Sequence, residues 1–114
     1  MTRRAELLRD LVTASRPVKD LSKELAEFAW DSEEELVSLE CSHVVKMLKE
    51  YLAGRRSATD VRAWAEAIEG RDDIGFASAA ESALRDVIFE LANPELGHVL
   101  TPLRAHHVLR RLRT

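Results

Sequence analysis

Apolar residues recur at helical spacing along most of this chain, and that periodicity restricts the fold more than any other feature of the sequence. They stand three or four positions apart, as Val61, Trp64, Ala65 and Ile68 do, which places their side chains on one face of an α-helix that is expected to face the core. Glycine and proline are scarce, with four and three residues in 114, and they fall between the periodic segments. The pattern predicts six helices, at about residues 3–14, 18–30, 33–53, 58–69, 78–92 and from 102 onward.

Capping signals support four of these helix starts, two of which are marked by Thr2 and by Ser57 with Asp60. Ser32 and Glu35 have the S-x-x-E spacing of a capping box, which predicts that the third helix begins just after Ser32. Thr101 before Pro102 is typical of a helix start, because the hydroxyl caps the helix and proline suits its first position. No segment alternates apolar and polar residues for long enough to predict a strand.

Length and composition fit one domain. A chain of 114 residues buries roughly two-thirds of the surface that its unfolded form exposes, which is enough for one core. The predicted fold is therefore all-α, a single-domain antiparallel helical bundle over residues 1–114. Because Cys41 is the only cysteine, no internal disulfide is expected. No signal peptide and no run of about 18 apolar residues is present, so we expect a cytoplasmic protein.

The charge is segregated along the chain, although the net charge is only −3. Residues 20–40 hold eight acids and one base, which is dense enough to build a local negative potential. A helix N-terminus would by itself explain acids at 31–35, because the helix dipole favours them there. The competing interpretation is an acidic patch that binds a basic partner. Its candidate residues are Asp31, Glu33, Glu34, Glu35, Asp72 and Asp73.

A basic face on the sixth helix is the alternative binding surface. Its residues are Arg104, His107, Arg110 and Arg111, and they could contact phosphates. A helix-turn-helix is not predicted, because residues 93–101 are too long for its tight turn. Phe89 projects from the polar side of the fifth helix, so either another helix covers it or it is an exposed anchor of the kind found at interfaces.

Catalytic and metal-binding motifs are not recognised in the sequence. The segment RDDIGF (71–76) lacks the alternating acids of a calcium loop, and we interpret it as a joint, that is, a short connection between two helices. His106 and His107 point about 100° apart on a helix, which is unfavourable for chelating one metal. Cys41 lies on an apolar stripe and is predicted to be a buried thiol. We therefore expect no catalytic residues, no metal site and no cofactor.

The segment YLAGRRSATDVRAWAE (51–66) resembles part of the bacterial colicin-like immunity proteins that protect against tRNA-cleaving toxins. The residues that fit are Tyr51, Leu52, Gly54, Ser57 and Ala58. The resemblance implies a helical cytoplasmic protein that binds a cognate nuclease toxin and covers its RNA-binding cleft with acidic side chains. The first helices and the arginine-rich end depart from the family pattern, so the acidic patch comes from the charge distribution alone.

The sequence thus predicts a non-catalytic protein-binding module, an immunity or inhibitor protein that blocks a toxin nuclease with an acidic surface. Two alternatives remain open. One is a nucleic-acid-binding or regulatory protein that uses the basic C-terminal helix. The other is a homo-oligomer, such as a homodimer, with Phe89 or Trp30 at its interface.

Overall fold

Helices dominate the fold, which a computed structural model describes for residues 2–112. The six helices are α1 (Arg3–Thr13), α2 (Val18–Leu25), α3 (Cys41–Leu52), α4 (Ala58–Ile68), α5 (Glu81–Ala92) and α6 (Pro102–Arg111). Two short strands, β1 (Val37–Leu39) and β2 (Ile74–Phe76), and two single 3₁₀ turns lie between them. The all-α prediction is confirmed, and the radius of gyration of 13.4 Å is that of one compact globule of this length.

The core is built around α4. This helix contacts α1, α2 and α3, and its most extensive contact is with α5. Trp64 on α4 is fully buried, and its indole N–H donates a 2.8 Å hydrogen bond to the carbonyl oxygen of Leu11 on α1. The apolar stripe of α4 predicted from the sequence is therefore the centre of the core.

Three helix starts are capped as their residue types predict. The hydroxyl of Thr2 accepts from the Ala5 amide, and that of Thr101 accepts from the Arg104 amide, both at 3.1 Å. Ser57 and Asp60 form a reciprocal capping box at the start of α4. These local contacts depend on neighbouring residues only, which explains why sequence spacing was enough to find them.

The predicted start of the third helix is wrong. Residues 33–40 are not helical, and α3 begins only at Cys41. Ser32 forms a local turn instead of a cap, since its hydroxyl donates to the Glu34 carbonyl and accepts from the Glu34 amide. The true start of α3 follows Glu40, whose amide donates to Nδ1 of His43 at 2.9 Å. An extended segment thus replaces two predicted helical turns.

A parallel pair of strands occupies this segment. Val37, Ser38 and Leu39 of β1 align with Ile74, Gly75 and Phe76 of β2. The Glu35 carboxylate lies close to Gly75, so a Cβ atom there would force this flexible side chain to move. Each strand has three residues, which is too short for an alternating pattern to show.

Two further segments differ from the expectation. The second helix ends at Leu25, five residues before its predicted end, and the chain then follows an irregular path to β1. RDDIGF is a joint as predicted, but its second half is β2. Among residues 2–112, no helix is long and apolar enough to cross a membrane.

Candidate functional site

A buried ion-pair cluster lies at the joint between α4 and β2. Asp73 is fully buried, and its carboxylate accepts hydrogen bonds from Nε and Nη2 of Arg71, at 2.9 and 3.1 Å. Arg4 on α1 adds a third bond, from Nε to Oδ2 at 3.0 Å. Asp73 was expected in the exposed acidic patch, and that expectation is wrong. Its negative charge is paired with Arg4 and Arg71, because a carboxylate can be buried only at a large cost unless a positive group compensates it.

The same two arginines hold the irregular segment that follows α2. Nη2 of Arg4 donates to the carbonyl oxygens of Ala29 and Asp31, at 2.9 and 3.1 Å. The Asp72 amide donates to the carbonyl of Trp30 at 3.0 Å. The guanidinium of Arg71 lies 4.6 Å from the centre of the Trp30 ring, within cation–π range. The segment is thus tied to α1 and to the α4–β2 joint.

Five of the six predicted acidic residues lie on the surface around this segment. We call residues 30–35 together with Asp72 the acidic loop. No helix begins here, so the helix dipole does not explain the acids. Within residues 2–112, no salt bridge involves any of the five carboxylates. The exposed acids are Asp31, Glu33, Glu34, Glu35 and Asp72.

An exposed tryptophan belongs to the same loop. Trp30 keeps 47% of its surface exposed although Arg71 stacks on its ring. Tryptophan is the residue type most enriched at binding hot spots, where it combines a large apolar area with few rotatable bonds. The sequence named Trp30 only for a homo-oligomer interface, because nothing local shows that it neighbours Asp72.

The predicted basic face of α6 is partly neutralised. Arg111 forms a bidentate pair with Glu90 on α5, with both N–O distances at 2.9 Å, and Arg104 lies 3.9 Å from the same carboxylate. Burial raises the pKa of Glu90, but the hydrogen bond from Arg111 and the nearby positive groups outweigh it and lower that pKa overall. Two arginines therefore hold α6 against α5, whereas His107 and Arg110 are exposed.

Phe89 is exposed, and the expectation that another helix covers it is wrong. Its side chain is 46% exposed, and its ring meets the edge of His98 at a centroid distance of 6.5 Å. The neighbouring 3₁₀ turn and loop after α5 pass beside it instead of a helix. The alternative interpretation, an exposed aromatic residue, describes its position.

Cys41 and the histidines do not converge on one site. Cys41 is partly buried at the start of α3, where it packs against the core and is less enclosed than predicted. His106 and His107 are exposed on α6. In the part of the chain that the structure describes, no group of three or more histidine, cysteine or carboxylate side chains is placed to hold a metal ion.

His43 gives the fold a testable pH dependence. Burial lowers the pKa of His43, Lys46 lowers it further, and Glu40 opposes them without reversing the direction. The folded state therefore favours the neutral ring, whose Nδ1 accepts from the Glu40 amide. Its contribution to stability is present above the unfolded pKa of about 6.5 and is lost as the pH falls through the lower folded pKa.

Denaturant unfolding at about pH 7.5 and about pH 5 checks this effect. We expect His43→Asn, whose amide oxygen can accept the same bond without titrating, to lose less free energy of unfolding on acidification than the parent chain. The exposed His106→Asn is the control and should follow the parent. An identical loss in all three chains would contradict the assignment.

The segment that resembles immunity proteins forms the α3–α4 hairpin. Gly54 has a positive φ of 81° just after α3, and Ser57 caps α4. Tyr51 and Leu52 are partly buried against the core, and Ala58 is the first residue of α4. Each of these residues has a structural role in the hairpin.

Comparison of the chain with protein-family models, with curated proteins and with solved structures found no match. Conclusions about function therefore rest on the chemistry of the surfaces. The acidic loop is the most distinctive of these, because it combines an exposed tryptophan with carboxylates that form no salt bridge within residues 2–112, on a segment held in place by Arg4 and Arg71.

Proposed function

We propose that this chain is a non-catalytic protein-binding module that presents the acidic loop to a basic site on another protein. The observation that carries the proposal is that the acidic loop, which Arg4 and Arg71 hold in place, presents five exposed carboxylates and the exposed Trp30. Acids elsewhere are more often used within the fold: Glu50 binds Arg56, and Glu90 binds Arg111. Within residues 2–112 the acids of the loop form no salt bridge, which leaves them available to a partner.

Two physical effects support binding at this loop. Complementary potential accelerates association and selects among partners, while a desolvated tryptophan anchor slows dissociation. The hydrogen bonds from Arg4 fix the backbone at Ala29 and Asp31 before any partner arrives. A preordered loop loses less conformational entropy on binding, which leaves more of the interaction free energy for affinity.

The partner class we propose is a nuclease toxin, in the manner of an immunity protein. The resemblance of residues 51–66 suggests this class, and the charge of the acidic loop is consistent with it. A nuclease that cleaves tRNA must present a positively charged cleft to the phosphates. An acidic surface that also carries an exposed tryptophan would cover such a cleft and exclude the RNA, so inhibition needs no catalytic residue.

Reversing the charge of the acidic loop tests the proposal. The triple variant Glu33→Lys, Glu34→Lys and Glu35→Lys changes exposed residues only. We expect binding to a cognate tRNA-cleaving domain to lose about tenfold or more in association rate at low salt, because electrostatic steering is reversed. Surface plasmon resonance against a panel of such domains measures the rates, and tRNA cleavage measures the inhibition.

A charge-matched variant separates a local effect from a global one. Glu66→Lys, Glu81→Lys and Asp86→Lys change three exposed acids on α4 and α5 and give the same net charge. This control should keep most of the association rate. The proposal fails if no domain in the panel is bound and inhibited, or if the two triple variants associate equally fast.

The alternatives have weaker support. Nucleic-acid binding through α6 would depend on His107 and Arg110, because Glu90 already engages Arg111 and lies near Arg104. A homo-oligomer would use the exposed Phe89 or Trp30. Neither arrangement gives a role to the five carboxylates of the acidic loop, which form no salt bridge with residues 2–112.

A further inference from the structure

A second surface, distinct from the acidic loop, lies where the segment after α5 meets α6. The chain from Gly97 to Thr101 and the outer side of α6 enclose a groove of about 530 Å³. None of its lining residues belongs to the acidic loop. The groove therefore provides an independent place for a ligand.

Two strongly exposed apolar side chains line this groove. Leu103 on α6 is 77% exposed and Val99 is 64% exposed, and both line the groove. Leu103 does not belong to the buried face of α6, which consists of Ala105 and Val108. The two side chains thus have no packing role in the described fold, and exposed apolar groups that share a groove are typical of binding sites.

The rim of the groove is positive. Arg104, His107 and Arg110 line it, and none of the described lining residues is acidic. Arg104 is held in place by a 3.2 Å hydrogen bond from Nη2 to the Gly97 carbonyl. Arg110 forms no salt bridge with residues 2–112, and Glu90 is already held bidentately by Arg111. The groove thus combines an apolar centre with cationic groups directed by the fold.

We propose that this groove binds a short acidic segment of a partner protein. A large apolar side chain of that segment would lie between Val99 and Leu103, with a neighbouring carboxylate pairing with Arg110. Arginine suits this role because its planar guanidinium binds carboxylates bidentately. The complementarity of charge and apolarity selects an acidic peptide.

Two other classes of ligand match less of the groove. Phosphates of a nucleic acid would pair with the arginines but would leave Val99 and Leu103 against a highly charged backbone. A bilayer requires a continuous apolar helix face, whereas the apolar face of α6 is turned to the core, and Leu103 is the one large apolar side chain exposed on the described part of this helix. The acidic peptide uses both parts of the surface.

Selection from a phage-displayed library of random octapeptides tests the proposal on the whole chain. We expect enrichment of peptides with a large apolar residue flanked by Asp or Glu. Synthetic, fluorescently labelled versions then provide binding curves by anisotropy. A double variant, Leu103→Asp with Arg110→Glu, should weaken the selected peptides about tenfold or more, which equals about 1.4 kcal/mol.

Matched controls make the result specific. Leu96→Asp with Arg85→Glu changes a similar exposed pair outside the groove and should bind the peptides as the parent does. The acidic-loop variant Glu33→Lys, Glu34→Lys and Glu35→Lys should also keep peptide binding, so this proposal can fail or hold independently of the proposed function. Circular dichroism confirms that each variant is folded.

Three outcomes would overturn the inference. The first is a selection that enriches no acidic–apolar pattern, and the second is a selected peptide whose affinity is unchanged by the Leu103 and Arg110 variant. The third is binding of single-stranded RNA or phosphatidylserine vesicles that this variant abolishes while no peptide binds. That result would assign the groove to phosphate groups.

Discussion

Replacing Asp73 by alanine is expected to lower the free energy of unfolding by about 3–5 kcal/mol, the largest effect of any charged residue in the described chain. Asp73 is fully buried, and Arg71 beside it is only 7% exposed. Without the carboxylate, a guanidinium would remain in the interior with no counter-charge within reach of Nε and Nη2. A total stability of about 5–15 kcal/mol is usual, so this loss is a large part of it.

The neighbouring residue provides a matched control. Asp72→Ala removes an adjacent carboxylate that is exposed and unpaired in the described part of the chain, so its effect should lie within about 0.5 kcal/mol. Its amide bond to the Trp30 carbonyl is a backbone contact and survives the change. Urea unfolding followed by circular dichroism measures both variants.

A paired substitution shows whether the ion pair itself is responsible. Arg71→Met with Asp73→Leu replaces both partners by apolar groups, which avoids leaving an uncompensated arginine at position 71. We expect this double variant to be more stable than Asp73→Ala alone, because removing one partner of a buried pair costs more than replacing both. Equal destabilisation by Asp72→Ala and Asp73→Ala would contradict the buried cluster.

Replacing Trp64 by alanine is expected to cost about 3–5 kcal/mol, because it opens a cavity in the centre of the core. Trp64 is fully buried on α4, and its loss also leaves the Leu11 carbonyl without its indole donor. Both effects act in the same direction. A thermal or urea unfolding curve measures the loss, and an unfolded chain at room temperature would be the extreme form of the same result.

Trp30 is the natural comparison. It is 47% exposed and contacts Arg71 through its ring face, so Trp30→Ala should cost only about 1 kcal/mol. Each variant keeps one tryptophan, so Trp30→Ala reports the fluorescence of the buried Trp64, and Trp64→Ala reports that of the exposed Trp30. Collisional quenching by iodide should therefore fall strongly in Trp30→Ala. Similar stability losses for the two tryptophans would show that the core is not centred on α4.

Helix positions and core faces were largely readable from the sequence. The stripe that contains Val61, Trp64 and Ile68 was predicted to face the core, and all three are buried. Periodicity is sufficient here because a helix buries one face whatever lies opposite it. The caps at Ser57 and Thr101 were equally readable, since their bonds reach only three residues along the chain.

The acidic loop could be predicted only in part from the sequence. Its charge was visible, but the residues were assigned to the start of a helix on the strength of Ser32 and Glu35. That spacing is necessary for a capping box and does not ensure one, because tertiary pairing of β1 with β2 competes for the same backbone. Leu36 and Val37 donate their amides to the Asp73 carbonyl instead of entering a helix.

The sequence by itself determined the number of helices, the composition of the core and the existence of an acidic and a basic region, because these depend on spacing and residue type within a few positions. Only the tertiary structure decided which charges are free. Asp73 and Asp72 are adjacent in the chain, yet one is buried between arginines and the other is exposed beside Trp30. The physical reason is that Arg4 lies 69 residues from Asp73, and a contact at that separation leaves no local pattern.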